Sequence, residues 1–243
     1  MGKMFSDDPV IRDLEIMAGA VNYRKWIYSR FDKYPGQRII EIGAGIGNFT
    51  ELFLDREIVV PLDNYEPCVA YMKRRFSGRE NVIPLKMDIS SPEALTLSRY
   101  RPDTVVCINV LEHVSDDAAA ISNISKVLEK GGMFILLAPA FQFLYGSIDR
   151  LVGHYRRYNK RELKGKLTEA GFNIKEIFYM NSVALFGWFL NNRILKRREE
   201  SLKQVLFFDR FIVPWLKNLE GIVRPPFGLS LVAVGERGDK NAE

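Results

Sequence analysis

The sequence is poor in cysteine and histidine. Its 243 residues include only two of each. Cys68 and Cys107 have neither the spacing of a zinc site nor partners for a disulfide framework. We therefore expect two reduced, buried thiols in an intracellular protein, and the sequence predicts no metal site.

Long apolar runs are missing as well. The most apolar stretch, VALFGWFL at 183–190, is far shorter than the roughly 20 residues that a membrane-spanning helix needs. The opening MGKMFSDDPV has no apolar core, so we expect no signal peptide. These absences predict a cytoplasmic protein and leave open only a peripheral contact with the inner face of a membrane.

The charge excess is small and uneven. The net charge is +5, and the basic residues gather at 154–166 and 192–198. A basic patch can meet nucleic acid, an anionic membrane or an acidic substrate. A solvated helix face explains each run equally well, and the chain has no appended RNA-binding domain. We expect no nucleic-acid partner.

Apolar segments alternate with amphipathic ones along most of the chain. The pattern predicts strands at 38–42, 58–62, 81–85, 103–110, 133–139, 172–180 and 229–237, and helices at 9–33 (one helix or a pair), 47–56, 66–76, 115–129 and 159–171. Ser115 and Asn159 are the expected N-caps of the last two helices. Continuous apolar strands between helices indicate an α/β fold with a parallel sheet that is covered on both faces.

We expect a single domain in four parts. An N-terminal helical cap (1–35) precedes a Rossmann-like core (36–180). A helical insertion (181–228) and the final strand with its tail (229–243) complete the chain.

The unusual residues fall at one edge of the predicted sheet. Ligands of such sheets bind beyond the carboxyl ends of the strands. That edge would carry the glycine run 43–47 with Glu41 before it, then Asp63, Asp88, 109–113 and 138–158. Glycines let a ligand press against bare backbone, and Asp63 is placed to accept both hydroxyls of a ribose. A dinucleotide fold would favour G-x-G-x-x-G, but position 48 is asparagine.

With these residues the chain resembles the class I S-adenosylmethionine-dependent methyltransferases. EIGAGIGNFT is similar to their first motif, and LDNYEPCVAYMKRRF to their ribose-binding strand end and helix. MDI, INVLEHVSDD and LEKGGMFILLAPA resemble the adenine turn, the segment after strand four in small-molecule and lipid-type members, and the following helix and strand. The resemblance implies a mostly parallel seven-stranded sheet whose last strand is antiparallel and inserts between strands five and six.

The resemblance also implies a role for each matching residue. Glu41 would orient the glycine loop and contact the amino-acid end of S-adenosylmethionine, and Asp63 would bind the ribose. The remaining expected cofactor residues are Gly43, Ala44, Gly45 and Asn48 in the loop, Asn64, Asp88 and Ile89 around the adenine, and Asn109 and Val110 at the methionine portion. The alternatives are a surface carboxylate for Asp63 and a turn or cap residue for Asp88.

His154, His113 and Tyr158 are the candidate catalytic residues. The sulfonium already activates the methyl group, so the enzyme must align a nucleophile and, for a hydroxyl, help to remove its proton. His154 is the better base, because it lies in a stretch rich in Tyr, Arg and Asp. A structural or cofactor-gating role for His113 is the stronger alternative.

Two amphipathic helices are predicted in the insertion. They could form a lid over an apolar acceptor pocket, an interfacial helix pair at a membrane, a dimer interface or simply part of the core. The sequence thus favours methyl transfer to a small-molecule, glycan or lipid-linked acceptor, one that the arginines allow to be anionic, by a monomer or homodimer. An NAD(P)-dependent oxidoreductase and a non-catalytic S-adenosylmethionine-binding protein are the alternatives.

Overall fold

The fold is built on one seven-stranded sheet. The computed structural model describes residues 6–189 and 202–238, with the backbone alone at 202–204. The strand order is β3-β2-β1-β4-β5-β7-β6. The strands are β1 (Arg38–Ile42), β2 (Ile58–Asp63), β3 (Leu85–Lys86), β4 (Thr104–Ile108), β5 (Met133–Pro139), β6 (Phe172–Met180) and β7 (Ser230–Arg237).

The last strand reverses direction, as the family resemblance implies. β7 pairs antiparallel with both β5 and β6, whereas the pairs among β1 to β5 are parallel. β5 and β6 consequently end at the same sheet edge, and the insertion that follows β6 begins beside the loop that follows β5. The Rossmann-like fold class is confirmed.

Helices cover both faces of the sheet and its carboxyl edge. They are α1 (Pro9–Ala18), α2 (Val21–Tyr28), α3 (Glu66–Arg75), α4 (Asp117–Val127), α5 (Ser147–Leu151), α6 (Lys160–Glu169), α7 (Ser182–Phe189), α8 (Leu202–Phe207) and α9 (Val213–Ile222). A short π-helical turn, Phe208–Ile212, joins α8 to α9. The basic run at 192–198 lies outside the described residues, as does most of the polar tail.

Local capping explains where several helices begin. Asp8 accepts hydrogen bonds from the amides of Val10 and Ile11 at the start of α1, with Pro9 in the first turn. Asn159 caps α6 as predicted, by accepting from the amide of Glu162. The predicted cap of α4 was wrong: Asp116, not Ser115, accepts from the amide of Ala119.

Two predicted elements are shorter than expected. The helix predicted at 47–56 is a single 3₁₀ turn, Thr50–Phe53, since the Thr50 hydroxyl is tied to Glu41 and β2 begins soon after. The strand predicted at 81–85 shrinks to Leu85–Lys86. Pro84, within that run, cannot donate a ladder hydrogen bond, which limits pairing at this outer strand.

The core forms two apolar layers, one on each side of the sheet. Ile40 and Val60 belong to one buried layer, and their chain neighbours Ile39 and Val59 to the other. Because successive strand side chains point to opposite faces, both faces need apolar residues. This explains the continuous apolar runs in the sequence. Among the described residues, no helix is long and apolar enough to span a membrane.

Candidate functional site: a cofactor cleft and an adjoining cavity

The glycine loop after β1 requires its glycines. Gly43, Gly45 and Gly47 have φ angles of +63°, +57° and +84°, a region that residues with a side chain rarely adopt. A Cβ added at Gly43 would lie 2.2 Å from a methyl of Val110. The loop therefore presents bare backbone at the carboxyl edge of the sheet, as the sequence predicts.

Glu41 supports this loop from below. Its carboxyl is almost fully buried, and the Thr50 hydroxyl donates to it at 2.6 Å. Burial raises the pKa of Glu41 to about 8. Glu41 thus fixes the turn that follows the loop. Its contact with the amino-acid end of a cofactor stays a prediction.

Asp63 lies at the end of β2 against the same loop. Its carboxylate accepts hydrogen bonds from the amide of Gly45 at 2.8 Å and from the amide of Tyr65 at 2.9 Å. These two bonds hold both oxygens at the mouth of the cleft, beside the exposed Asn64. Gly45 and Asp63, which are 18 residues apart in the sequence, are therefore in direct contact.

Asp88 and Ile89 follow β3 with contrasting surroundings. Asp88 is exposed and accepts from the amide and the hydroxyl of Ser90, which is the turn role kept as its alternative. Ile89 is buried, and its carbonyl accepts from the Asn123 amide at 2.9 Å. Their adenine contacts stay predictions.

Helix α1 covers the outer side of the glycine loop. The Asn48 amide donates to the carbonyl of Leu14 at 3.1 Å, and a Cβ added at Gly45 would lie 3.0 Å from a methyl of Leu14. Tyr65 donates to Asp8 at the start of the same helix. Asn48, expected among the cofactor residues, thus holds the N-terminal cap in place.

A cavity of about 720 Å³ adjoins the cleft. Its lining includes Asn109, which comes directly after β4 and next to Val110, the residue that packs on the glycine loop. Its walls are mainly apolar and come from α1, α2, α7 and the α8–α9 segment. They include Met17, Ala20, Tyr23, Val183, Ala184, Phe186, Trp188, Val205, Phe208 and Ile212.

The polar end of the cavity contains His154. Its Nδ1 lies 2.9 Å from Oδ1 of Asp149, and the Arg157 Nε donates to the same oxygen at 2.8 Å. Although burial alone would raise it, the hydrogen bonds from His154 and Arg157 hold the pKa of Asp149 at about 2. The ionised Asp149 fixes the imidazole so that Nε2 is left for the cavity. The guanidinium carbon of Arg157 also lies 4.8 Å from the ring centroid of Trp188.

Glu112 and His113 lie beside His154. The two imidazole rings meet edge to face with centroids 4.5 Å apart. Glu112 is 1% exposed, and neither carboxylate oxygen has a hydrogen-bond partner in the part of the chain that the structure describes. Burial raises the pKa of Glu112 to about 8, while desolvation and then His154 lower that of His113 to about 4.

Tyr158 corrects the catalytic prediction. Its side chain is fully buried, and its hydroxyl donates to Asp117 at 2.8 Å. Burial, and then the charge of Asp117, raise its pKa well above the usual range. Tyr158 therefore anchors the loop before α6 onto α4 and offers no surface to an acceptor.

Sequence reasoning missed Glu112 and Trp188 as cavity residues. Glu112 precedes His113 in a 3₁₀ turn, Leu111–His113, and the only available signal was an acid within an apolar run. Trp188 reaches the cavity because α7 folds back over the sheet edge. The sequence indicated arginines near His154 but not the bond between Arg157 and Asp149.

The residues of the cleft fit S-adenosylmethionine. Gly43 would offer it backbone without a side chain, Asp63 would offer its fixed carboxylate to the ribose, and Asn109 lines the adjoining cavity. When bound, this cofactor supplies a methyl group made electrophilic by its sulfonium.

The chain matches the methyltransferase domain family over residues 22–177, well over half of its length. It therefore belongs to that family, and its sheet is the class I, Rossmann-like one.

Curated relatives carry the same assignment over part of their length. A "probable S-adenosylmethionine-dependent methyltransferase" of Mycolicibacterium smegmatis is 30% identical over 156 residues, which cover 62% of this chain and 58% of the relative. The chain thus spans less than two thirds of that relative.

Solved structures agree at the level of the fold. A chain of a Haloferax volcanii complex that contains the Trm112 methyltransferase activator aligns with a TM-score of 0.64 at 16% identity, covering 96% of this chain and 95% of that chain. The N-methyltransferase NodS of Bradyrhizobium japonicum, solved with S-adenosyl-L-homocysteine, aligns with a TM-score of 0.55 at 15% identity, covering 96% and 90%.

Proposed function

We propose that the protein transfers a methyl group from S-adenosylmethionine to a small amphiphilic acceptor bound in the cavity. One observation carries this proposal: Asn109 lines the cavity together with residues of the insertion, and its chain neighbour Val110 packs against Gly43 of the loop that would hold the methionine end. An acceptor there would present its reactive atom next to the activated methyl group.

The lining of the cavity defines the chemistry of the acceptor. A volume of about 720 Å³ lies within the range of about 300–1,000 Å³ that is usual for small-molecule sites. Apolar walls fit an apolar body, and the polar end at His154 fits a hydroxyl or amine. The arginines left an anionic acceptor open, but this option gains less support, because the charge of Arg157 is already neutralised by Asp149.

His154 is the candidate group that acts on the acceptor. In the transfer, the bond between sulfur and the methyl carbon breaks and its electron pair stays on sulfur, while the acceptor atom bonds to the carbon. The proton lost by a hydroxyl or amine acceptor would pass to Nε2 of His154. Asp149 positions the ring, because it holds Nδ1.

Cofactor recognition is testable by calorimetry with S-adenosylhomocysteine. Asp63→Ala should weaken binding by about 10- to 100-fold, the loss expected for a charged hydrogen-bond acceptor. Asp55→Ala is the matched control, because Asp55 is an exposed acid in the turn before β2. Equal affinity of the wild type and Asp63→Ala would contradict the proposal, and NAD binding in place of S-adenosylhomocysteine would favour an oxidoreductase.

Transfer itself requires a second experiment. The protein is incubated with methyl-labelled S-adenosylmethionine and with organic-soluble or water-soluble metabolite fractions from its own cell. We expect label in the organic fraction, on an apolar molecule with a hydroxyl or amine. Tight S-adenosylhomocysteine binding without transfer to either fraction would favour the non-catalytic alternative.

We propose that the acceptor is lipid-linked. The outer face of the α8–α9 segment exposes apolar side chains at regular helical spacing, namely Phe207, Phe211, Trp215, Leu219 and Ile222. The other side of the same segment lines the cavity through Phe208 and Ile212. A membrane surface against this stripe would deliver a lipid tail toward the cavity.

A further inference from the structure

Glu112, His113 and His154 form a compact set of metal-binding groups. One ligand atom from each lies within 4.8 Å of the other two, and Nε2 of His154 is 3.9 Å from Oε1 of Glu112. We propose that these three side chains bind one divalent transition-metal ion at the polar end of the cavity. The proposal departs from the sequence-based expectation of no metal site.

The orphaned carboxylate of Glu112 is the first independent support. It is 1% exposed, lines the cavity, and has no hydrogen-bond partner among the described residues. An isolated buried carboxylate is costly unless it is paired, hydrogen-bonded or bound to a metal. A cation between Glu112 and the two imidazoles would supply the missing partner.

The bond between Asp149 and His154 is the second support. Histidines that bind metals usually donate their other ring N–H to a carboxylate, which fixes the ring and makes the free nitrogen a better ligand. Asp149 accepts at 2.9 Å from Nδ1 of His154, and Arg157 fixes Asp149 in turn. This leaves Nε2, 3.9 Å from Oε1 of Glu112, as the nitrogen free to bind a metal.

The donor set indicates the class of ion. Two imidazoles and one carboxylate suit zinc, manganese, cobalt or iron(II) rather than calcium. Donors around such an ion lie roughly 3.3 Å apart, since each is about 2.1 Å from the metal, so small rotations of His113 and His154 would complete the site. Three protein ligands leave coordination positions open toward the cavity.

The inference deepens the proposed function, on which its chemical role rests. A hydroxyl or carbonyl oxygen of the acceptor would occupy an open position, where the ion would lower the pKa of the hydroxyl. With metal bound, Nε2 of His154 would be a metal ligand and no longer the base, and the acceptor's proton would leave to water instead.

Metal binding is tested without acceptor or cofactor. Full-length, tag-free protein is stripped with a chelator and titrated by calorimetry with Zn²⁺ and, separately, with Mn²⁺; Co²⁺ absorption reports nitrogen and oxygen ligation. We expect one ion per chain. Glu112→Gln and His154→Ala should each weaken binding at least tenfold, and so should His113→Ala, whose exposed side chain makes it the variant least prone to misfold. Glu80→Gln, at an exposed acid, is the control.

Each result decides the proposal. Absence of saturable binding in the stripped wild type, or equal affinity in Glu80→Gln and in a folded His113→Ala, would overturn it. S-adenosylhomocysteine binding is measured on the same samples. If S-adenosylhomocysteine fails to bind while the metal binds, the methyl-transfer proposal falls and the metal site stands. If S-adenosylhomocysteine binds while the metal does not, the metal site falls and the methyl-transfer proposal stands.

Discussion

His154 is the predicted catalytic residue that links the cavity to its neighbouring polar groups. It contacts Asp149 through Nδ1, His113 through its ring and the cavity through Nε2. The sequence identified the residue because histidine is so scarce in this chain. It could not identify the partners, since Asp149 and Arg157 reach His154 only after the loop following β5 folds against the Leu111–His113 turn.

Replacement of His154 should affect turnover and leave the cofactor in place. We expect His154→Ala to lower kcat by about 100-fold or more, the usual contribution of a positioned acid–base group. The dissociation constant of S-adenosylhomocysteine should change little, because Asp63 and the glycine loop lie on other elements. Both are measured once an acceptor is known. Tyr155→Ala, at an exposed neighbour, is the control, and unchanged kcat in His154→Ala would remove His154 from the mechanism.

At the scale of elements, two buried acids of the insertion cap distant helices. Asp209 accepts from the amides of Asn22 and Tyr23 in the first turn of α2, at 3.2 and 2.7 Å. Glu220 accepts from the amides of Asn181 and Ser182 where α7 begins. Helix α2 has no side-chain cap at its own N-cap residue, so the insertion supplies what the local sequence lacks.

Loss of the Asp209 cap should lower the free energy of unfolding by a measurable amount. Asp209→Ala should lower the free energy of unfolding by about 1–2 kcal/mol, as for other lost N-caps, because two helix amides lose their acceptor. Urea unfolding compares it with Arg210→Ala, a variant of the exposed neighbour. Equal losses in both variants would show that the cap contributes nothing specific.

Glu176 of β6 joins three separate segments. It accepts from Lys33 and Tyr34, each at 2.7 Å, and pairs with Arg224. Although burial opposes the change, hydrogen bonds from Lys33, Tyr34 and Arg224 hold the pKa of Glu176 at about 2. A folded-state pKa below the unfolded value stabilises the fold above about pH 4.5, and this stabilisation is lost as the pH falls toward 2.

Because the pKa of Glu176 is lowered in the folded state, the stability lost in Glu176→Gln should depend on pH. At pH 7 the free energy of unfolding of the variant should be lower than that of the wild type by about 1.5–3 kcal/mol, the range for hydrogen bonds to charged groups. The difference in the free energy of unfolding between the wild type and the variant should narrow as the pH is lowered from 5 to 3. Urea titrations at each pH would measure it. Glu169→Gln, at an exposed acid, should show no comparable trend. A pH-independent difference for Glu176→Gln would argue against the assigned ionisation.

At the scale of the whole molecule, the apolar stripe on α8–α9 is the most unusual surface. Trp215 is 79% exposed and Ile222 86%, and the two lie about two turns apart on the same helix. Exposed apolar patches of this kind mark membrane or protein interaction sites. Arg210 and Lys217 lie in the same segment, which favours an anionic surface.

Vesicle flotation tests this surface. The wild type should float with anionic liposomes, and the double variant Phe211→Ser with Trp215→Ser should lose most of that binding because its apolar contact is removed. Leu95→Ser, at a half-exposed leucine of the 3₁₀ helix Pro92–Tyr100, should float like the wild type. A wild type that stays unbound and elutes as a dimer would assign the stripe to a second copy of the chain.

The sequence by itself determined the α/β sheet and the loops that meet at its carboxyl edge, because apolar periodicity, glycines and strand-end acids act over a few residues, whereas the antiparallel last strand followed from the resemblance to the methyltransferase family. It also located His113 and His154 by their scarcity. Only the tertiary structure decided that Tyr158 is buried, that Asn48 holds the N-terminal cap and that Glu112 meets both histidines. These outcomes depend on contacts between segments far apart in the chain, and such contacts leave no local pattern to read.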